Sequence, residues 1–408
     1  MNALAGAAPA AGGAFDASRL PRLLYFADVP VENYMHGSAL IYRLLESYPA
    51  DRLLIVESIV KSDPSRRLPA VTYRSTGLLR HRLMRSRLAP HLSGLNAVMG
   101  GDGVAALKRA AADFAPQAVM TVVHGHQWLT AARYAERQGL PLHLIAHDRW
   151  QDTLTASAAV KAKLAPEFAA VYRAAKGRFC VSPHMVEVYR AETGADGQVL
   201  YPARRKGFAA PTSVSPRVGH PGQPFTVGYA GSIADGGLIA ALELLRQVLA
   251  PQGGRLSIFG PHTDKGLAER GLAGENLLVV GRIPPHELAS RLRQEADVLA
   301  ASVSFDPSIR EAMAMCFPSK LTDYTAAGLP ILAHGPADSA AVRWVRDNPG
   351  VGLTVESMKA KALAQGLGQL MEDAGLRRRL AQGALDLGQR QFAGEAAERL
   401  MFQTLALG

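Results

Sequence analysis

The chain has 408 residues, 48% of them apolar and 20% charged. That is too long for one ordinary core and too rich in apolar residues for a disordered or fibrous protein. A formal charge of +10 points to anionic partners, although an Arg- and Ala-rich composition raises the charge without any partner. The two cysteines, Cys180 and Cys316, both follow apolar stretches and are expected to be buried free thiols rather than a disulfide.

Residues 1–20 are rich in Ala and Gly, lack a basic n-region and are expected to be a flexible leader rather than a secretory signal. No run of about eighteen apolar residues occurs, so no membrane-spanning segment is expected. Over 21–203, short apolar strands alternate with amphipathic helices. Strands are predicted at Leu23–Ala27, Leu53–Val56, Ala118–Val123 and Leu142–Ala146, then a short one ending at Val181, and Gln198–Tyr201. Helices are predicted at Ser38–Tyr48, near Val104–Phe114 and from Trp128 to Gln138. Ser182 and Pro183 have the form of an N-cap and first position for a further helix. Residues 61–100 form a basic insertion. No acid occurs between Pro64 and Gly101, and residues 61–88 interleave Arg with Leu, Val and Met, as an amphipathic segment on an anionic membrane surface would. A solvated helix fits the pattern equally. Tyr73 is the sole aromatic residue in that stretch, which argues against stacking on nucleic-acid bases.

Residues 204–224, marked by Pro211, Pro216, Pro221 and Pro224, are the expected linker. The βα rhythm restarts over 225–390, with strands predicted at Phe225–Ala230, Leu256–Phe259, Leu277–Val280, Val298–Ala300, Ile331–Ala333 and Gly352–Val355. The chain from Ala364 onward reads as helical, jointed at Gly383, Gly388 and Gly394, and 391–408 is expected to return to the first domain. Continuous apolar strands separated by helices imply parallel sheets covered on both faces. The fold class is therefore α/β with two Rossmann-like doubly wound domains, since a barrel needs no proline-rich break.

Five motifs carry chemistry. Pro318 and Ser319 open a helix whose N–H groups and positive dipole end suit a diphosphate, Lys320 adds charge there, and Asp323 lies one turn on, placed for ribose hydroxyls. A capped surface helix with an incidental Lys and Asp is the plain alternative. Gly231-Ser232 follows a strand and lets backbone approach a phosphate. Gly37 gives the loop after the first strand room to approach a ligand, and Ser38 is placed to cap the next helix. His124-Gly-His126 and His147-Asp148 end two strands where open α/β sheets bind ligands, and Trp128 offers a stacking face. His124 and His126, with no Cys or carboxylate companion, make a poor zinc set, and no metal site is expected. The plain alternative for either histidine is packing in the interdomain wall, and Asp148 is equally placed to cap a helix.

The stretch Phe317-Pro-Ser-Lys-Leu-Thr-Asp-Tyr-Thr-Ala-Ala-Gly-Leu-Pro resembles the donor-binding segment of retaining GT-B glycosyltransferases of family four. The resemblance implies the GT-B fold, with the two domains facing a central cleft, and transfer of a sugar with retention from a nucleotide diphosphate donor. It assigns Ser319 and Lys320 to the diphosphate and Asp323 to the ribose, with Asp where the family usually has Glu, and counts Leu321 among the donor-binding residues. Gly231, Ser232 and Arg282 are the remaining donor-side candidates, and His36, Gly37, Ser38 and Trp128 the acceptor-side ones. His126 matches the second His of the family's strand end, which faces the donor sugar, and His124, His126 and Asp148 are the catalytic candidates. Two departures stand out: Met315 occupies the position of a second acid, and Ser232-Ile-Ala-Asp235 replaces an Arg and Lys pair. No cofactor is implied beyond the donor, with Mg²⁺ assistance as an option. A saccharide or lipid-linked acceptor and a cytoplasmic, membrane-peripheral place follow from the same resemblance. A sugar-nucleotide epimerase would need acids and bases that Met315 and Ile233 do not supply, and a non-catalytic partner of the same fold is the remaining alternative.

Overall fold

The computed structural model describes residues 17–34, 36–58, 61–76 and 101–407. The predicted leader up to residue 16, and residues 77–100 of the basic insertion, lie outside them.

Strands Leu23–Ala27, Leu53–Glu57, Thr72–Ser75, Ala118–Val122, Leu142–Ala146, Gly177–Cys180 and Gln198–Val199 are β1 to β7. Thr226–Ala230, Arg255–Phe259, Leu277–Gly281, Val298–Ser302, Ile331–His334 and Gly352–Val355 are β8 to β13. They form a seven-stranded sheet ordered β3-β2-β1-β4-β5-β6-β7 and a six-stranded sheet ordered β10-β9-β8-β11-β12-β13. All pairings are parallel, as continuous apolar strands covered by helices on both faces require. In each sheet the chain reverses its direction of travel once, between β1 and β4 and between β8 and β11, and such switch points open a crevice at the carboxyl ends of the strands.

Most predicted elements lie where the apolar pattern places them, within a few residues. The helix of the first unit runs His36–Leu45 rather than Ser38–Tyr48, so Ser38 sits inside its first turn and is not its cap. Among the elements not expected are a helix and a strand of the first unit. The helix Ala158–Ala174 carries an internal Pro166 and buries only Leu164, Phe168 and Tyr172, so its Ala-rich sequence has a weak apolar stripe. Strand β3 is an edge strand with a half-exposed pattern, lying inside the basic segment. There the arginines are engaged: Arg67 pairs with Glu57 at 2.9 Å, Arg74 pairs with Asp113, and Arg66 stacks on Tyr34 at 3.8 Å. Leu68 is core. The described part of the segment, 61–76, is thus sheet edge and turn rather than an amphipathic membrane helix.

Residues 204–224 lack strand and α-helix but are firmly anchored. Arg204 is buried, donating to the Thr322 carbonyl at 3.0 Å and the Thr325 hydroxyl at 2.7 Å, and Arg217 meets the buried Asp297 at 2.9 Å. The last helix, Gly394–Ala406, packs Met401, Phe402 and Leu405 into the core beneath β1, with Phe402 edge-on to Tyr48.

Gly383 and Gly388 are not joints. Both lie inside the helix Ala374–Gln391, where a β-carbon would run into Gly350 or into Thr325 and Arg204. Close helix approach, not bending, requires them. Gly388→Ala is therefore expected to cost about 1–3 kcal/mol through overpacking. Gly368→Ala, in Ala360–Glu372 with its nearest neighbour 4.0 Å away, should gain up to about 1 kcal/mol from helix propensity. Urea midpoints of the two variants, moving in opposite directions, check both.

Candidate active site

The carboxyl ends of the two sheets face one another. Loops after β1, β5 and β6 touch loops after β10 and β11: Arg282 donates to the Tyr34 hydroxyl at 3.4 Å, Arg149 pairs with Glu311, and the Ser182 hydroxyl donates to the Met315 carbonyl at 3.2 Å. Between them a cleft of ≈ 790 Å³ is lined by Asn33 and Arg43 on one side, Pro285, His286 and Asp323 on the other, and Arg204 to Phe208 along one wall.

On the second sheet, β8 leads into Gly231, whose φ of +129° is a conformation that a side chain disfavours. Against it lies Lys320, its Nζ 3.8 Å from the Tyr229 ring centroid. Lys320 opens the helix Lys320–Ala327, and no side chain caps that end. No carboxylate pairs with Lys320 among the described residues, and burial pulls its ammonium down to about 7. A desolvated cation at a helix N-terminus is electrostatically favoured by an anionic neighbour. Asp323, one turn on, receives no hydrogen bond from a described residue; burial raises its carboxyl, while Arg43 and Arg204 oppose that shift. Gly328, at φ +64°, ends the helix as the sequence predicts.

Other donor-side candidates are placed differently. Leu321 is fully buried and its N–H bonds the Pro318 carbonyl at 3.1 Å, so neither its side chain nor its amide is available to a ligand. Ser319 and Ser232 are exposed. The helix after Gly231, Gly236–Leu249, is capped by Asp235, which also accepts from the Ser304 hydroxyl at 2.6 Å. That carboxylate occupies the helix end where phosphate binding was expected. Arg282 is exposed and reaches Tyr34, whose phenol the Arg282 and Arg66 guanidinium groups pull below its usual value. Met315 is buried.

On the first sheet, His126 precedes the helix Gln127–Gln138 at the end of β4. Asp28, at the end of β1, accepts from the backbone N–H of His126 at 3.0 Å and of Gln127 at 3.2 Å, and from the Ser58 hydroxyl at 3.0 Å. It caps that helix from across the switch point, and Gly125 leaves it room, since a β-carbon there would overlap the carboxylate. Sequence reasoning missed Asp28 because a strand-end acid carries no local motif. Arg204 was missed likewise: one more Arg in a basic stretch gives no sign of burial.

His124 and His147 follow adjacent strands and both approach Asp148, at 3.8 and 3.2 Å. Burial pushes the Asp148 carboxyl up, but the two imidazoles and the Cys316 thiol outweigh it and hold the group well below the carboxylate range. Gly37 packs on His147, with space for a β-carbon only 2.9 Å from its ring. His36 is the first residue of the helix that carries Gly37 and Ser38.

Trp128 does not offer a stacking face. It is buried, its indole N–H donates to the Gly125 carbonyl at 3.1 Å, and its ring packs edge-on against Trp150 and Phe168. Cys180 and Cys316 are free thiols, as expected, each pushed up to about 12 chiefly by burial. Among the described residues no helix is long and apolar enough to cross a membrane.

No protein-family model matches the chain, and no curated protein matches it by sequence. Solved structures match it by fold. HepE (Alr3699) of Anabaena, crystallised with UDP and glucose, is similar with a TM-score of 0.66 and 15% identity, over 95% of this chain and 99% of that one. Sucrose-phosphate synthase of Thermosynechococcus elongatus is similar at 0.64 and 17% identity, over 93% and 97%. The α,α-trehalose 6-phosphate synthase of Burkholderia multivorans is similar at 0.61 and 14% identity, over 94% and 98%. At such identities the likeness is one of fold. The chain has the GT-B fold, two Rossmann-like domains facing a central cleft.

Proposed function

We propose that this protein is a glycosyltransferase that moves a sugar from a nucleoside diphosphate donor to an acceptor hydroxyl. The observation that carries the reading is Lys320, a half-buried cation without a counter-charge among the described residues, set against the Gly231 turn at an uncapped helix end. A diphosphate supplies the missing charge, and Asp323 one turn on accepts ribose hydroxyls. The bond from the anomeric carbon to the diphosphate oxygen breaks, Lys320 stabilises the departing charge, and the acceptor oxygen takes the anomeric position while its proton passes to the departing diphosphate oxygen. His126 faces the sugar from the first domain, and His124 and Asp148 orient the acceptor. Arg282 closes over the donor through Tyr34. Domain closure excludes water and limits hydrolysis. Fold neighbours crystallised with UDP and glucose support a sugar nucleotide as donor. We infer retention and a saccharide or lipid-linked acceptor from the resemblance around Phe317–Pro330, and with them a cytoplasmic, membrane-peripheral place in polysaccharide or glycoconjugate assembly.

The test is thermal stabilisation by UDP, GDP, ADP and dTDP, with and without Mg²⁺, for the parent and Asp323→Ala. One diphosphate should stabilise the parent by a few degrees and the variant not at all. No response to any of them, in the presence of Mg²⁺ as well, overturns the donor assignment.

A further inference from the structure

His124 and His147 stand two residues beyond Val122 and Ile145, which are paired across β4 and β5. Equal offsets on adjacent parallel strands bring the two rings side by side, with centroids 5.8 Å apart. Asp148 places one carboxylate oxygen 3.8 Å from His124 Nδ1 and 3.2 Å from His147 Nε2. Ligand atoms of the three residues all lie within 4.8 Å of one another. In a tetrahedral site with metal–ligand distances near 2.0–2.1 Å, neighbouring ligand atoms are about 3.3 Å apart; the two carboxylate–imidazole separations here, 3.8 and 3.2 Å, lie near that value. Among the described residues no Lys or Arg pairs with Asp148, since Arg149 turns instead to Asp152 and Glu311. His124 Nδ1 is buried with no hydrogen-bond partner. The His124 and Asp148 side chains nevertheless remain 36% and 40% exposed, which leaves an entry path.

We propose that His124, His147 and Asp148 bind a divalent transition ion of the zinc type, with the fourth position open to solvent. Two imidazoles and one carboxylate suit zinc, cobalt or nickel rather than magnesium, and three protein ligands with an open position are the pattern of a reactive site rather than a structural one. Gly37 fits this role by letting the helix His36–Leu45 pack on the His147 ring and fix its orientation. The site needs no donor nucleotide and stands whether or not the glycosyltransferase reading holds.

The experiment is titration of the full chain, free of any histidine tag, with Co²⁺ followed in visible absorption, and then displacement by Zn²⁺ measured by equilibrium dialysis. One equivalent should bind with a tetrahedral-type spectrum and no thiolate charge-transfer band. Asp148→Asn, which keeps the shape of the side chain, and His124→Ala should each weaken binding more than about a hundredfold. Cys316→Ser should leave it unchanged. Melting curves of the variants establish that they are folded, and the UDP response is a separate readout. The proposal is overturned if no stoichiometric ion binds, or if Asp148→Asn and His124→Ala bind as the parent does. Loss of the ion in Cys316→Ser would overturn the open fourth position.

Discussion

Lys320→Met is expected to weaken nucleotide binding at least tenfold to a hundredfold while making the unliganded protein more stable. The two effects share one cause. In the folded chain the ammonium is desolvated with no carboxylate partner among the described residues, and the Tyr229 ring is its main recompense. Methionine fills similar space, keeps a favourable sulfur contact with the ring and carries no charge to desolvate. Because the folded pKa of about 7 lies below the ordinary lysine value, the unfolded chain binds the extra proton between the two, and parent stability rises with pH across that window. Below pH 7 both states are protonated and the cost is full, so the variant's advantage is largest there and fades toward pH 10. Donor binding has the opposite dependence. A diphosphate favours the charged amine, so above pH 7 the parent should take up a proton on binding UDP, and affinity should fall as pH rises. Calorimetry in buffers of different ionisation enthalpy measures that proton. The variant should show no uptake, an affinity at least tenfold to a hundredfold weaker from the lost charged hydrogen bonds, and transfer slowed by about 10²–10³-fold. A variant that binds UDP like the parent would remove Lys320 from the donor site.

That pairing of instability with function explains which parts of the molecule the sequence discloses. Apolar runs such as Leu23–Ala27 and Leu142–Ala146 state their strands outright, because burial on both faces leaves one reading. The turn after Tyr229 and the helix from Lys320 to Ala327 are legible for the same reason, as local backbone chemistry around Gly231 and Gly328. What stays hidden is non-local. The cap on Gln127–Gln138 comes from Asp28, far away in sequence, and the guanidinium behind Asp323 comes from the linker residue Arg204. The helix Ala158–Ala174 escapes notice because its buried residues are few and widely spaced and a proline interrupts them. Gly383 and Gly388 look like hinges in one dimension and are contact points in three. An aromatic residue beside a strand-end motif misleads in the same way, and Trp128 is the case with the largest expected consequence.

Trp128→Ala should lower stability by about 3–5 kcal/mol, the range for truncating a fully buried aromatic residue. The indole sits among Trp150, Phe168, Tyr172 and Tyr189, with Trp150 stacked on Phe168 at 5.4 Å and Tyr172 and Tyr189 each in contact with Phe168. Removing it leaves a void that rigid aromatic neighbours cannot close, and deprives the Gly125 carbonyl of its donor. Trp128→Phe should recover most of the packing but not that hydrogen bond, leaving a deficit nearer 1–2 kcal/mol. Urea unfolding followed by circular dichroism gives both figures. The Gly125 carbonyl belongs to the turn that sets His126, so the phenylalanine variant should also slow transfer more than it weakens UDP binding. If Trp128 instead stacked on an acceptor, the alanine variant would keep its unfolding midpoint and lose only acceptor affinity, and the aromatic core beneath β4 and β5 would need another explanation.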